Sequence, residues 1–217
     1  RERLFPGSGR PVALCVSRLQ ARRRLDLLIE AAAIMASRGS PCDILLVGDG
    51  PERDNLAQLA QEKKVSLCMP GACYDQMQLA RYTMSATVTV APGLVGLTAM
   101  QSLAFGVPVI THDDRYEQAP ESEVLEEGRS GYLFESGNLQ SLVDAMMRAT
   151  ASPWPSANVR EACIHALEAG YTASCMREAI ENALDGLPAR NPSGIDVQIE
   201  QAGRTGRVPG KTDQGQA

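Results

Sequence analysis

The chain has 217 residues, of which 44% are hydrophobic and 22% are charged, a balance typical of a folded globular protein. Its 21 basic and 26 acidic residues give a net charge of −5 at pH 7, which argues against a broad surface for nucleic acid. No apolar run approaches the roughly 18 residues that a membrane-spanning helix needs, and no secretion signal opens the chain. We therefore expect a soluble, cytoplasmic protein that does not bind nucleic acid.

The cysteines are scattered and the histidines are few. The six cysteines include no C-x-x-C pair, and two histidines are too few for the usual zinc spacings. We expect reduced thiols, no metal site and no cofactor. The length allows one domain of about 150 to 190 residues, followed by a tail.

Six short runs rich in β-branched residues predict strands, and the stretches between them have helical spacing. Leu25, Leu28 and Ile29 illustrate that spacing in the first stretch. Nearly continuous apolar strands that alternate with helices predict a parallel sheet covered on both faces. The fold class is therefore α/β, doubly wound, with about six strands. The predicted strands are residues 12–16, 43–47, 65–68, 87–90, 107–110 and 131–134.

After the sixth strand the pattern becomes purely helical. Helices are predicted at residues 139–149, 156–169 and 172–184, separated by proline and glycine signals. Residues 189–217 carry five glycines and no aromatic residue, so we predict a disordered tail, with a short helix at 195–201 as the alternative. The predicted organisation is a lead-in at residues 1–10, a domain at 11–188 and the tail.

The turns after the first and second predicted strands are polar. In an open parallel sheet, ligands bind outside the carboxyl ends of the strands, so a site is expected at these turns. The first turn contains Arg18 and Arg22–Arg24, and the second contains Gly48–Gly50. Each also has a plain interpretation, because glycines are common in strand-to-helix turns and arginine runs are common on solvated helix faces. Their shared position at one sheet edge favours a binding site.

The turn after the fourth strand, residues 91–98, is predicted to bind an anion. A helix begins there, and its first N–H groups, at Gly96 to Thr98, have no partner within the helix and suit a phosphate. The guanidinium groups of Arg18 and Arg23 are suited to pair with the same phosphate. These glycine-rich turns are not Walker loops, because no Gly-Lys-Ser or Gly-Lys-Thr follows them, and the absence of a clean G-x-G-x-x-G disfavours an NAD- or flavin-binding domain.

A series of short motifs lies between Pro11 and Leu184. The motifs are residues 16–19, Arg23 with 26–31, 46–51, Gly71, 91–92, 96–97, 104–110, 127–133 and 171–172. In this order and at these spacings they resemble the carboxyl-terminal, donor-binding half of the retaining glycosyltransferases of family 4, also called group 1, which have the GT-B fold. The resemblance implies a nucleotide-sugar donor, most often a UDP-sugar, and transfer with retention and without a metal ion.

The resemblance assigns donor-binding roles to individual positions. Arg18 matches the phosphate-binding arginine of the family, and Arg23 stands where the family usually has a lysine that contacts the same diphosphate. Gly96, Leu97 and Thr98 match the turn that receives the distal phosphate and the sugar. Two glycines complete the set of expected donor-binding residues: Gly48, in the turn after the second strand, and Gly71, whose neighbours are expected to line the nucleobase pocket.

The chain departs from the family pattern at two positions. The family has two glutamates separated by seven residues, of which the first faces the sugar and the second the ribose; this chain has Gly93 and Gln101 there. Gln101 either bonds a ribose hydroxyl or is a solvated helix residue. Glu121 and Glu123 are candidate substitutes for the lost sugar contact, or else solvated acids at a helix start. Restoring glutamate at position 93 is the test that the sequence suggests.

The resemblance also implies a partner domain. A GT-B enzyme has a second, amino-terminal domain that supplies the acceptor site and any catalytic His or Asp, and because only about a dozen residues precede the first predicted strand, we expect this sequence to be one half of such an enzyme. The expected function is donor binding within a glycosyltransferase of polysaccharide biosynthesis, inactive as this half alone, with peripheral membrane association of the full enzyme. Catalytic residues are not assigned. The alternative is a non-catalytic nucleotide-sugar binding or regulatory module on the same fold.

Overall fold

The computed structural model describes residues 3–151 and 156–186. Strands and helices alternate through most of this part of the chain, with two short 3-10 helices at Ala21–Arg23 and Pro120–Val124. The elements are β1 (Val12–Val16), α1 (Leu25–Ser37), β2 (Asp43–Val47), α2 (Arg53–Glu62), β3 (Leu67–Gly71), α3 (Gln76–Ser85), β4 (Val88–Ala91), α4 (Leu97–Ala104), β5 (Val109–His112), β6 (Gly131–Phe134), α5 (Leu139–Thr150), α6 (Ala157–Glu168) and α7 (Ala173–Leu184).

The strands form one parallel sheet in the order β3-β2-β1-β4-β5-β6. This confirms the predicted doubly wound α/β class. The chain builds outward from β1 to β3, then returns to the other side of β1 and builds outward from β4 to β6. The order therefore reverses between β1 and β4, and a crevice at the carboxyl ends of these two strands is the usual ligand site of such a sheet.

Alternate residues of strand β1 pack on opposite faces of the sheet. Ala13 and Cys15 belong to a cluster with residues of α1 and α5, whereas Val12 and Leu14 pack on the other face with Leu79 of α3. All four side chains are buried, as expected for a central parallel strand.

Strand β3 departs most from the prediction. It runs over residues 67–71, not 65–68, and its residues are half-buried or exposed. It lies at the sheet edge and contains Pro70, which an edge strand tolerates because its free side needs no N–H donor. An edge strand lacks the continuous apolar pattern on which the prediction relied.

The three carboxyl-terminal helices begin at side-chain caps. Asn138, Ser156 and Thr172 accept hydrogen bonds from the N–H groups of Ser141, Val159 and Cys175, respectively. These helices match the predicted ones closely. The predicted tail at residues 189–217 and its alternative helix lie outside the described residues.

The predicted lead-in is attached to the domain. Phe5 is buried in the same cluster as Val12 and Leu14, so the core reaches into residues 1–10. None of the helices within the described ranges has the length and apolar character needed to cross a membrane.

Candidate functional site

Two cavities flank the carboxyl end of β1, where the strand order reverses. Val16 and Ser17 border both of them. The larger, of about 630 Å³, is lined mainly by Arg18 and by the turns that follow β2 and β3, residues 48–50 and 72–74. The smaller, of about 270 Å³, is lined by Arg23, by the end of β4 and by residues 93–98. The pair forms a trough that crosses the end of β1.

Glycine is required in the turn after β2 because two loops meet there. A Cβ atom on Gly48 would overlap the carbonyl oxygen of Ser17, and one on Gly50 would overlap that of Leu19. The N–H of Leu19 donates to the carbonyl of Asp49 at 3.0 Å and fixes this approach. Contact within the protein therefore accounts for both glycines, and Gly48 also lies on the wall of the larger cavity.

Arg18 is exposed on the wall of the larger cavity. In residues 3–151 and 156–186 its guanidinium group makes no hydrogen bond or ion pair. A cationic group in this position is available to an anion that enters the trough.

Arg23 is half-buried and joins two loops. Its Nη1 donates to the carbonyl of Leu94 at 2.5 Å, and its own carbonyl accepts from the N–H of Gly93 at 3.1 Å. Its Nε atom is buried and has no hydrogen-bond partner within the described residues. Buried polar groups are normally paired, so an unpaired donor beside a cavity indicates a missing acceptor.

Cys15 also lines the smaller cavity. Burial raises the pKa of its thiol to about 11, against smaller opposing effects of the Ser17 hydroxyl and the Arg23 charge. The thiol is therefore neutral at pH 7, which argues against a role as a thiolate nucleophile.

The turn after β4 has no room for a side chain at position 93. A Cβ atom on Gly93 would lie 2.5 Å from the carbonyl oxygen of Arg22 and 3.0 Å from the Cα of Arg23. A glutamate introduced at position 93 would meet backbone, and the two loops would have to separate to admit it.

The start of α4 is open. Gly96 is the N-cap and offers no side chain to the first-turn N–H groups, and no atom lies within 4 Å of a Cβ built on it. Leu97 is 76% exposed, and the Thr98 hydroxyl donates to the carbonyl of Val16 at 3.3 Å. The start of α4 therefore lies beside the end of β1, and its first-turn N–H groups have no side-chain cap.

The structure groups six of the eight predicted donor-binding residues along the trough. Arg18 and Gly48 line the larger cavity, and Arg23, Gly96, Leu97 and Thr98 line the smaller one.

The other two predicted residues lie beside the trough. Gly71 ends β3, just before the lining residues Ala72–Tyr74, and its carbonyl accepts from the N–H of Gly48 at 2.9 Å. Gln101 lies one helical turn after Leu97 and is not among the residues that line either cavity.

The two candidate substitutes for the lost glutamate differ. Glu123 is exposed, whereas Glu121 is half-buried and its Oε2 atom is buried without a hydrogen-bond partner in the described part of the chain. Both belong to the 3-10 helix at residues 120–124. The sequence analysis missed the nearby Gln118, whose side chain bonds the turn after β4. No local pattern signals that contact, because it joins residues 23 positions apart.

No group of three or more His, Cys, Asp or Glu residues suited to a metal ion is found among residues 3–151 and 156–186.

Known glycosyltransferases resemble this chain in sequence. A poly(ribitol-phosphate) alpha-N-acetylglucosaminyltransferase of Staphylococcus aureus is 25% identical over 141 residues, which are 61% of this chain and 27% of that protein. An alpha-D-kanosaminyltransferase of Streptomyces kanamyceticus is 24% identical over 148 residues, 66% of this chain and 37% of that protein. The chain thus spans about a quarter to somewhat over a third of these relatives' lengths.

Solved structures share the fold. A mutant of S. aureus TarM, in complex with Fondaparinux, alpha-GlcNAc-glycerol and UDP, matches with a TM-score of 0.70 at 19% identity, over 80% of this chain and 35% of that one. HepE of Anabaena, in complex with UDP, matches with a TM-score of 0.66 at 20% identity, over 82% of this chain and 49% of that one. At these identities the likeness establishes the fold, which is the Rossmann-like half of a GT-B protein.

The family described as glycosyl transferases group 1 matches residues 1–167. This match covers β1 to β6, both cavities, and the helices up to most of α6. The chain belongs to the glycosyl transferases group 1.

Proposed function

We propose that this domain binds the nucleotide sugar of a retaining glycosyltransferase in the trough across the end of β1. The nucleobase lies in the larger cavity, beside residues 72–74. The diphosphate crosses Val16 and Ser17, and the sugar lies in the smaller cavity. The acceptor and any catalytic acid or base come from outside the described residues. The proposed setting is polysaccharide synthesis at the cytoplasmic side of a membrane, without a metal ion.

The unpaired Nε of Arg23 is the observation that carries this proposal. It is a buried donor on a guanidinium group, it lines the smaller cavity together with the first turn of α4, and it has no acceptor within the described residues. A phosphate oxygen satisfies such a donor and is also favoured by the helix N-terminus. An uncharged ligand would accept the hydrogen bond from Nε but would not be attracted by the positive charge of the guanidinium group and the helix N-terminus.

The chemistry of such a site is stabilisation of a leaving group. When the glycosidic bond to the diphosphate breaks, negative charge develops on the distal phosphate. Preorganised cationic and N–H donors stabilise that charge without rearranging. Arg18, Arg23 and the N–H groups of Gly96 to Thr98 supply this function in the proposal, and the neutral Cys15 thiol takes no part as a nucleophile.

A second candidate function is donor binding without transfer. The observation in its favour is Gly93, because the family places a sugar-facing glutamate there and this chain has neither that side chain nor the space for it. The two candidates predict the same nucleotide binding and differ in turnover. Measuring transfer or hydrolysis of the sugar by the longest natural polypeptide that contains this chain distinguishes them.

The direct test is a thermal-shift panel of UDP, GDP, ADP and the corresponding nucleotide sugars on residues 1–217. A ligand at 100 times its dissociation constant adds about 2.7 kcal/mol to the free energy of unfolding. We expect a rise in melting temperature for one nucleoside diphosphate and no rise for the free nucleoside. If none of the diphosphates raises the melting temperature at millimolar concentration, the proposal is refuted.

A further inference from the structure

We propose that Gln118 is a positioning residue, which holds the turn after β4 in the conformation that receives the distal phosphate and the sugar. This inference rests on the proposed function. Gln118 lies in the connection between β5 and the 3-10 helix at residues 120–124, and its half-buried side chain reaches across to the turn at residues 93–95.

The side chain of Gln118 uses both ends of its amide. Its Oε1 accepts from the N–H of Val95 at 2.9 Å. Its Nε2 donates to the Thr111 hydroxyl at 2.7 Å and to the carbonyl of His112 at 3.2 Å. A weaker contact, at 3.5 Å, joins Nε2 to the carbonyl of Gly93.

These partners leave only one orientation of the amide. The N–H of Val95 requires an acceptor, and the carbonyl oxygens of His112 and Gly93 require a donor. A flipped amide would place its NH₂ group against the N–H and its oxygen against the carbonyls. The site therefore selects glutamine over glutamate, which has no donor when ionised.

Gln118 donates a hydrogen bond to a buried hydroxyl group. Thr111 is fully buried, and its Oγ1 donates to the carbonyl of Ala91 at 3.0 Å, so its lone pair is free to accept from Gln118. The backbone carbonyl at the end of β4, the hydroxyl on β5 and the Gln118 amide thus form one connected network. Satisfied polar networks of this kind rigidify the segments they join.

The turn is held from both sides. On the β1 side, Arg23 accepts from the N–H of Gly93 and donates to the carbonyl of Leu94. On the β5 side, Gln118 binds Val95. The next residue, Gly96, has no side chain with which to cap α4. Fixing residues 93–95 therefore fixes where the first N–H groups of α4 point, although Gln118 itself does not line the smaller cavity.

The contacts of Gln118 can be removed in two ways. Gln118→Met keeps the length of the side chain and removes all of its hydrogen bonds. Gln118→Glu keeps the acceptor for Val95 and replaces the donor with an oxygen that faces carbonyls. If both ends of the amide matter, both variants are impaired. Gln58→Met is the matched control, because Gln58 is exposed on α2 and bonds only Glu62 within that helix.

The experiment compares the affinities of UDP and UMP for each variant by calorimetry, or those of the diphosphate and monophosphate of whichever base the panel selects. The turn meets the distal phosphate, which only the diphosphate has. We expect both Gln118 variants to bind UDP about tenfold more weakly, the loss of one typical hydrogen-bond contribution, and UMP within about twofold of wild type. The Gln58→Met control should bind both as wild type does.

Other outcomes are informative. If wild type fails to bind UDP, GDP or ADP, the proposed function fails, and this inference falls with it. If wild type binds but the Gln118 variants bind UDP equally well, only the positioning role is rejected. Equal losses for UDP and UMP, or failure of both variants to fold by circular dichroism, would show that Gln118 supports the domain generally and would also reject the positioning role.

Discussion

Replacing Arg23 with alanine is expected to separate ligand binding from folding. The variant loses the hydrogen bond from Nη1 to the carbonyl of Leu94, and it also loses the unpaired buried Nε. The first change destabilises the fold and the second relieves a desolvation cost of similar size. We therefore expect the free energy of unfolding to change by less than about 1.5 kcal/mol.

Binding of a nucleoside diphosphate should change far more. A hydrogen bond to a charged group contributes about 1.5 to 3 kcal/mol, which corresponds to a loss of roughly 12- to 160-fold in affinity. Arg23→Lys keeps the charge but has a single nitrogen in place of the separate Nη1 and Nε donors, so a smaller loss is expected. Arg177→Ala, on α7, is the matched control because Arg177 is exposed and its side chain pairs with Glu181 on the same helix.

The assay is isothermal calorimetry with UDP, or the diphosphate selected by the panel, together with urea denaturation of each variant. Unchanged affinity in Arg23→Ala would refute the assignment of its Nε to a phosphate. A loss of affinity matched by a loss of several kcal/mol in unfolding free energy would also refute the reasoning, because the side chain would then act mainly in folding.

Three glycines give further predictions. Gly96→Val should leave the melting temperature unchanged and abolish diphosphate binding, since no protein atom is near but the added methyl groups block the cavity; retained binding would contradict the site. Gly48→Ala should lower the free energy of unfolding by at least about 2 kcal/mol in urea, because its Cβ overlaps Ser17, while Gly9→Ala, with open space around it, stays within about 0.5 kcal/mol. Gly93→Ala should lower both stability and diphosphate affinity, because the turn must move from Arg22; wild-type values for both would show that the loops separate freely.

The sheet could be predicted from the sequence because β1 and β2 are buried on both faces, and such strands are continuous runs of apolar residues. The predicted position of the site rests on the same pattern, since the ends of parallel strands share one edge. Edge strand β3 was shifted because Pro70 and its half-buried neighbours lack that pattern. The sequence therefore predicts those elements whose positions depend on burial and on the regular spacing of apolar residues.

The contacts that shape the site could not be predicted in this way. Gly93 contacts Arg22 and Arg23, which lie about 70 positions earlier in the chain. Gln118 accepts a hydrogen bond from Val95, which belongs to a different loop. Such contacts depend on how the loops approach one another after the sheet has formed. The sequence around Gly93 does not show whether glycine is there because a side chain is absent from the site or because backbone packs against that position.

Gly93 also bears on whether the full protein transfers sugar. A Cβ atom at position 93 would meet backbone of the turn before α1, although Gly93 itself lines the smaller cavity. The turn after β4 and the turn before α1 are therefore in close contact at Gly93, and Arg23 of the second turn lines the smaller cavity. This arrangement is consistent with the proposed binding of a diphosphate, because the unpaired Nε of Arg23 lies beside the same cavity. If the domain binds a nucleotide sugar as proposed, groups other than residue 93 orient the sugar, and Glu121, whose carboxylate Oε2 is buried and unpaired within the described residues, is the candidate in sequence nearest to Gln118.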